Sequence, residues 1–436
     1  MDETKLRGLL AEALTDEPPM GPLTQPALRA GLRIRRRRRL LAAGYVMAAI
    51  AVVGVSLRVA GPGGAPPAPP ALSPAEHTIW ATNDHAGTLM TITQDGQLGS
   101  PIQIGHDMSS AVFSPDGKTL AVISYATYNL VTVDAATGAV SQRIKVVGKY
   151  ADAIAITPDD QTAYTASFTD DTVTPYDLAQ GTAGTPINVG AEPRAIAITP
   201  DGRTMYVLSR ASARSSQSEV TPITIATGKA GPPILVGKDS VQMAISPDGK
   251  TILVANSEQG TVSDGSVTLI DTAKNTAGKP LAIGHVSAAG AVFSPDGQTA
   301  YVVNSDAGTL VPIDLAAQTA GKPIRVSVLE YPSGPSADPL AVAITPDGKT
   351  AYVLTPSLDP QHSSVVTPVD TATGTAGKPI PVPGMAESIA VSPEGQTVYV
   401  GGYRPGKLTP ISTSTNQAGP VVQAGKGAQI TVFTGP

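Results

Sequence analysis

The chain contains no cysteine. That excludes disulfides, a thiolate nucleophile, cysteine-ligated metals and a lipoprotein anchor, and it leaves the redox compartment open. Charge is sparse, at 15% of residues with a formal net charge of −5, so there is no overall basic excess of the kind that binds nucleic acid. Aromatics make up 4%, with a single tryptophan. The five histidines are His77, His85, His106, His285 and His362, and none pairs with another at a ligand-like local spacing. Neither a metal site nor a cofactor is therefore expected. What is abundant is Gly (44) and Pro (40) among short Val, Ile, Thr and Ala runs. In 436 residues this composition implies many turns between many short strands.

The first 75 residues read differently from the rest. Residues 1–39 form a tail in which Leu6, Leu9, Leu10, Ala13 and Leu14 recur at helical spacing until Pro18 and Pro19 stop the pattern. A helix this short is marginal alone and would need a cytoplasmic partner to matter. The tail ends in Arg29, Arg33 and the run Arg35–Arg39, directly before the uncharged stretch 40–57. As a helix that stretch spans roughly 27 Å, about the hydrocarbon thickness of a bilayer. Arginines crowd one side and only Arg58 follows closely, so the tail is expected in the cytoplasm and the remainder outside. A cleaved signal peptide would have a short positive region and a small-residue cleavage site, and neither is present. Residues 58–75 are rich in Pro, Gly and Ala and read as a semi-rigid spacer. This order of parts is similar to that of membrane proteins common in actinobacteria, some of them regulators with a cytoplasmic tail.

From residue 76 to 436 the chain is periodic. A Ser/Thr-Pro-Asp/Glu turn motif occurs seven times, with its acidic residue at Asp116, Asp159, Asp201, Asp248, Asp296, Asp347 and Glu394. Successive copies lie 42–51 residues apart. Around each copy the same order repeats, as in residues 341–345, 349–354, 365–370 and 378–382. These read as four short strands, the first two joined by the tight Pro-Asp-Gly turn. Four antiparallel strands per ~45 residues describe a propeller blade.

The segments at 344–353 (ITPDGKTAYV) and 294–314 (SPDGQTAYVVNSDAGTLVPID) resemble YVTN-type β-propeller repeats. WD40 repeats would need Gly-His and Trp-Asp pairs, and a sialidase Asp box has a different spacing. The Asp residues of the motif are therefore read as turn residues. At the ends, residues 77–83, 87–92 and 99–104 match the second, third and fourth strands of a unit, while 428–433 supplies the missing first. The expected fold is thus all-β: a propeller of four-stranded blades latched by a composite blade. The repeat count gives eight blades, with seven as the alternative.

Connections between first and second strands, and between third and fourth, should lie on one face and are nearly identical between blades. The other face collects the variable loops, where recognition usually sits. Counting back five and seven residues from each turn Ser/Thr places Asp107, Tyr150, Asp152, Glu192, Arg194, Asp239, Asp338 and Glu387 at the mouth of the channel, joined by Gln429. Most are acidic, which would favour a cationic ligand. Two functional classes follow. One is a membrane-anchored, extracytoplasmic binding or scaffold module acting through its variable face on a protein or small ligand. The other, implied by the resemblance, is a lactonase-like, metal-dependent hydrolase in the channel. An enzyme needs a convergent base and polariser. The mouth residues include no histidine, and no catalytic set can be named among them.

Overall fold

The computed structural model describes residues 79–83, 86–92, 99–106, 108–148, 150–210, 217–257, 265–284, 288–305, 307–326, 338–357, 362–403, 406–423 and 430–434. The tail, the apolar stretch 40–57 and the spacer expected from the sequence lie outside them. Among the described residues no helix is long and apolar enough to cross a membrane.

Those residues form eight antiparallel sheets in a ring, which settles the blade count at eight. Each blade has an inner, a second, a third and an outer strand. Blade 7 is typical, with Ala341–Ile344, Thr350–Thr355, Ser364–Asp370 and an outer strand ending in Ile380–Val382. Blade 1 is composite. Ile79–Asn83, Thr88–Ile92 and Ile102–Gln103 are its second, third and outer strands, and its inner strand is Ile430–Thr434. The latch pairs Ile79 with Thr434 and Asn83 with Ile430.

Each blade is covered on both sides by its neighbours. A second strand such as Thr350–Thr355 is therefore buried along nearly its whole length, and its sequence does not alternate. Every seam between neighbouring blades holds an apolar cluster. Between blades 4 and 5, Tyr206, Leu208 and Val220 meet Ile252, Val254 and Ile270. The closing blade is held on both sides. Ala81, Met90 and Ile92 pack with Ala390, Tyr399 and Leu408 of blade 8, and Trp80, Leu89 and Ile104 with Leu120, Val122 and Val131 of blade 2. Each fully buried large side chain contributes about 1.5–3 kcal/mol. The lone tryptophan is thus spent where the ring must close without a covalent link.

The repeated turn holds itself. In blade 7, Thr345 Oγ1 donates to Asp347 Oδ1 at 2.7 Å, and the Lys349 amide donates to the same oxygen at 3.1 Å. The Thr350 amide then donates back to Thr345 Oγ1 at 3.1 Å. The motif recurs at Ser114, Thr157, Thr199, Ser246 and Ser294. The Asp residues are turn residues, as expected.

The outer strand departs from the expected single element. In blades 3 to 8 it is two short pieces, such as Thr375–Ala376 and Ile380–Val382, both paired to the third strand. A Gly followed at the next or next-but-one position by Pro separates the pieces, and proline cannot donate to a ladder. Blade 2 lacks that proline and keeps an unbroken Val140–Lys145. Blade 5 shows that the outer proline is responsible. Its third strand has Leu269 where most others have proline, yet its outer strand is still split around Pro280.

Candidate functional site at the variable face

The connections from outer to inner strand all end on the variable face, and their geometry repeats. In several of them a glycine first presses onto the last residue of a second strand, whereas a Cβ on Gly384 would meet nothing within 4 Å. A Cβ on Gly237 would stand 2.6 Å from Asn256 Cβ, and one on Gly148 2.6 Å from Ser167 Oγ. The second-strand residue is itself fixed: Asn256 Oδ1 accepts from Ser240 Oγ at 2.7 Å, and its Nδ2 donates to Ser266 and Thr268. The chain then turns through a left-handed residue. Tyr150 (φ 54°), Glu192 (φ 51°) and Asp239 (φ 47°) occupy that position in blades 3, 4 and 5. Side-chain residues adopt this conformation rarely, and a bulky one is an outlier.

The inner strand next carries a bulge in six blades. The bulged residue is Ser109, Asp152, Arg194, Val241, Ala289 or Glu387. A bulge sets two residues against one on the partner strand and re-aims a side chain. The count back from the turn thus selects two structural positions, the left-handed residue and the bulge. The alternation of strand residues gives no signal for either. Of the expected mouth residues, Asp107 and Gln429 lie outside the described residues, and of Asp152 only its place in the strand is described. Asp338 lies three residues before the inner strand of blade 7 and is half-buried.

The acidic character expected at the mouth is offset in blades 4 and 5. Arg210, which follows the second strand Thr204–Ser209, bridges two expected residues: Nη1 is 3.8 Å from Glu192 and Nη2 is 3.3 Å from Asp239. Arg194 Nη2 lies 3.8 Å from the same Glu192 carboxylate, and its guanidinium sits 5.1 Å from the centre of the Phe168 ring. Arg210 reads in the sequence as one arginine scattered among others, because its partners come from two different connections. Each of these partly exposed pairs contributes at most about 1 kcal/mol. Together they fix the arginines rather than leave an open acidic ring.

Glu387 has a raised pKa, where turn carboxyls such as Asp159 have lowered ones. Burial at the bulge of blade 8 pushes its pKa up to about 7, so it can hold or release a proton near neutrality. Among the described residues no three His, Asp or Glu side chains are grouped to hold a metal ion.

The exposed aromatics are concentrated. Tyr128 is 42% and Tyr150 47% exposed, with Val147 beside them, and all three lie on the variable face of blades 2 and 3. Tyr125 and Tyr150 meet edge to face, with centroids 5.9 Å apart and planes at 68°. Lys145 Nζ stands 5.4 Å from the centre of the Tyr128 ring. Phe168 and Arg194 lie on the same face, the Phe168 amide donating to Tyr150 O at 2.9 Å.

No family model matches the sequence, and no curated protein matches it. Solved structures do match. Hydrazine synthase of Kuenenia stuttgartiensis is similar at 22% identity and a TM-score of 0.56, over 71% of this chain and 96% of that one. The dihydro-heme d1 dehydrogenase NirN, in complex with DHE, is similar at 15% identity and a TM-score of 0.66, over 99% of this chain and 86% of that one. At these identities the likeness is one of propeller fold.

Proposed function

We propose that this chain is a tethered binding module that presents the variable face of its propeller to a ligand. One observation carries the reading: among the described residues the exposed tyrosines, Tyr128 and Tyr150, both lie on the face opposite the one where the first described strand begins. Second strands run from the repeated-turn face to the variable face. Ile79 therefore stands on the repeated-turn face, beside its partner Thr434. A spacer at 58–75 leading from a membrane span at 40–57 would hold that face toward the bilayer and leave the tyrosines open. The cytoplasmic tail 1–39 would then be free for a partner inside the cell. The YVTN-type resemblance and the mature hydrogen bonding of the repeated turns fit a scaffold duty for that face.

Two experiments test this. Protease added outside intact cells should release the propeller as a soluble fragment, and full protection would overturn the outward placement. Hydroxyl-radical footprinting of the full chain in its native envelope, against the purified protein, should show protection at Tyr128 and Tyr150. Protection confined to Lys118, Lys250 and Lys349 on the repeated-turn face would move the binding face to the other side. The hydrolase alternative would rest on Glu387, and turnover in a lactone and esterase panel, lost in Glu387→Gln, would replace the binding reading.

A further inference from the structure

We propose that the set of Tyr125, Tyr128, Tyr150 and Phe168 is a stacking platform for a neutral oligosaccharide. This rests on the variable face being the binding face and adds the chemical class of the ligand.

A tyrosine side chain offers an apolar ring face and a polar tip, so it can cover the C–H face of a sugar ring while its hydroxyl meets a sugar hydroxyl. Tyr128 and Tyr150 keep close to half their surface exposed. Both are held in the left-handed region, at φ 53° and 54°. Their backbones are pinned there: the Tyr128 amide donates to Tyr125 O, the Val146 amide to Tyr128 O and the Phe168 amide to Tyr150 O. Strain of this kind in a bulky residue persists only where the surroundings enforce it, and it gathers at ligand sites. The platform is therefore set before any ligand arrives, which lowers the ordering cost of binding.

The size and flanks of the platform select the ligand. With less than half of each residue exposed, covering the two tyrosines buries less than half of the roughly 150–250 Å² of a whole aromatic side chain at each, far short of the ~800 Å² that a stable protein partner needs on one side. The flanking groups carry both signs: Lys145 at Tyr128, Arg194 at Phe168, and Glu192, whose amide is bound by Asp171. A proline-rich peptide would desolvate these charges without pairing them, at a cost. A polyhydroxylated ligand has donors for the carboxylates and acceptors for the cations along its whole length.

The test is calorimetry of the full chain with cellohexaose, chitohexaose and maltohexaose, beside an array of neutral glycans. At least one should bind. Tyr128→Asn and Tyr150→Asn should each weaken it by about tenfold or more, as hot-spot residues do, with no loss of melting temperature. Asparagine is chosen because it tolerates the left-handed backbone and removes only the ring. Lys349→Ala on the opposite face should bind as the parent does. The proposal is overturned if no glycan binds, or if both tyrosine variants bind as tightly as the parent. Tyrosine-dependent retention of a protein without any glycan binding would also overturn it, while leaving the binding face in place. A silent footprint at Tyr128 and Tyr150 would instead remove the face.

Discussion

The two faces of this propeller spend their polar groups in opposite ways. On the repeated-turn face the Asp-containing turns are closed by their own side chains. Hydrogen bonds, chiefly from the neighbouring Ser or Thr hydroxyl, hold the carboxyls of Asp159, Asp201, Asp296 and Asp347 below the usual range. Tyrosine hydroxyls add ties across the seams: Tyr206 donates to Asn275 Oδ1 at 2.7 Å and Tyr352 to Asn416 Oδ1 at 2.8 Å. On the variable face the connections carry left-handed side-chain residues, bulges, exposed tyrosines and a carboxyl raised by burial. One face closes the same Ser/Thr-to-Asp turn locally in six blades. The other is strained in places and differs from blade to blade, as expected of a scaffold and the surface it holds.

The largest break in that comparison should come from the glycines that seat the variable connections. Gly237→Ala forces a Cβ against Asn256, which is buried and held by three hydroxyl partners, so it cannot move aside. A loss of about 3 kcal/mol is expected, the upper range for overpacking. Gly297→Ala on the repeated-turn face meets nothing closer than 3.6 Å and bears only the cost of its positive φ, about 1 kcal/mol. Denaturant unfolding of the two variants gives the ranking. Equal losses would mean that Asn256 yields.

The next effect concerns pH, and the faces should respond with opposite sign. Glu387 has a folded pKa near 7, above its ordinary 4.5. Stability it leaves intact below pH 4.5 is therefore lost as pH rises toward 7. Glu387→Gln should gain on the order of 2–3 kcal/mol over the parent at pH 8 and nothing at pH 4. The turn carboxyls are held below 3.8, so their contribution is present above that pH and is lost as pH falls through their folded values. Parallel pH profiles for parent and Glu387→Gln melts would show that burial does not govern this carboxyl.

How much of this the sequence shows depends on the range of the interaction. The turn motif is complete within six residues, so Thr345 to Thr350 is legible, and with it the blade count and the composite latch. The division into faces follows from strand direction alone. The Arg210 bridge is not legible, because Glu192 and Asp239 reach it from the connections of two different blades. Nor is the bulge at Arg194 or Glu387, which is a mismatch between two strands rather than a property of one. The tight seat of Gly237 on Asn256 is hidden for the same reason. Locally closed chemistry reads from the chain, and chemistry assembled across blades does not.

A smaller effect should follow from opening one repeated turn. Thr345→Ala removes the donor to Asp347 and the acceptor of the Thr350 amide. The site is half open to water, so about 1 kcal/mol is expected. The Asp347 pKa should move up toward 3.8 as its first hydroxyl partner disappears. NMR titration of the carboxyl reads this directly, and an unchanged value would mean that the Lys349 amide alone holds it down.

The smallest effect has the opposite sign and bears most on function. Tyr128→Asn replaces a bulky residue at φ 53° by one that accepts the left-handed region. Tyr128 keeps 42% of its surface exposed, so only part of a full burial is lost. The backbone bonds from Tyr128 N and to Tyr128 O need no side chain. Relief of strain should therefore raise stability by about 0.5–1 kcal/mol while glycan binding falls. On the repeated-turn face the left-handed positions of the turns are mostly glycine, the others being Asp160, Asn275, Gln318 and Asn416. A variant that melts lower than the parent would show that the Tyr128 ring supports the fold. One that melts higher and binds less would show that the strain is kept for the ligand.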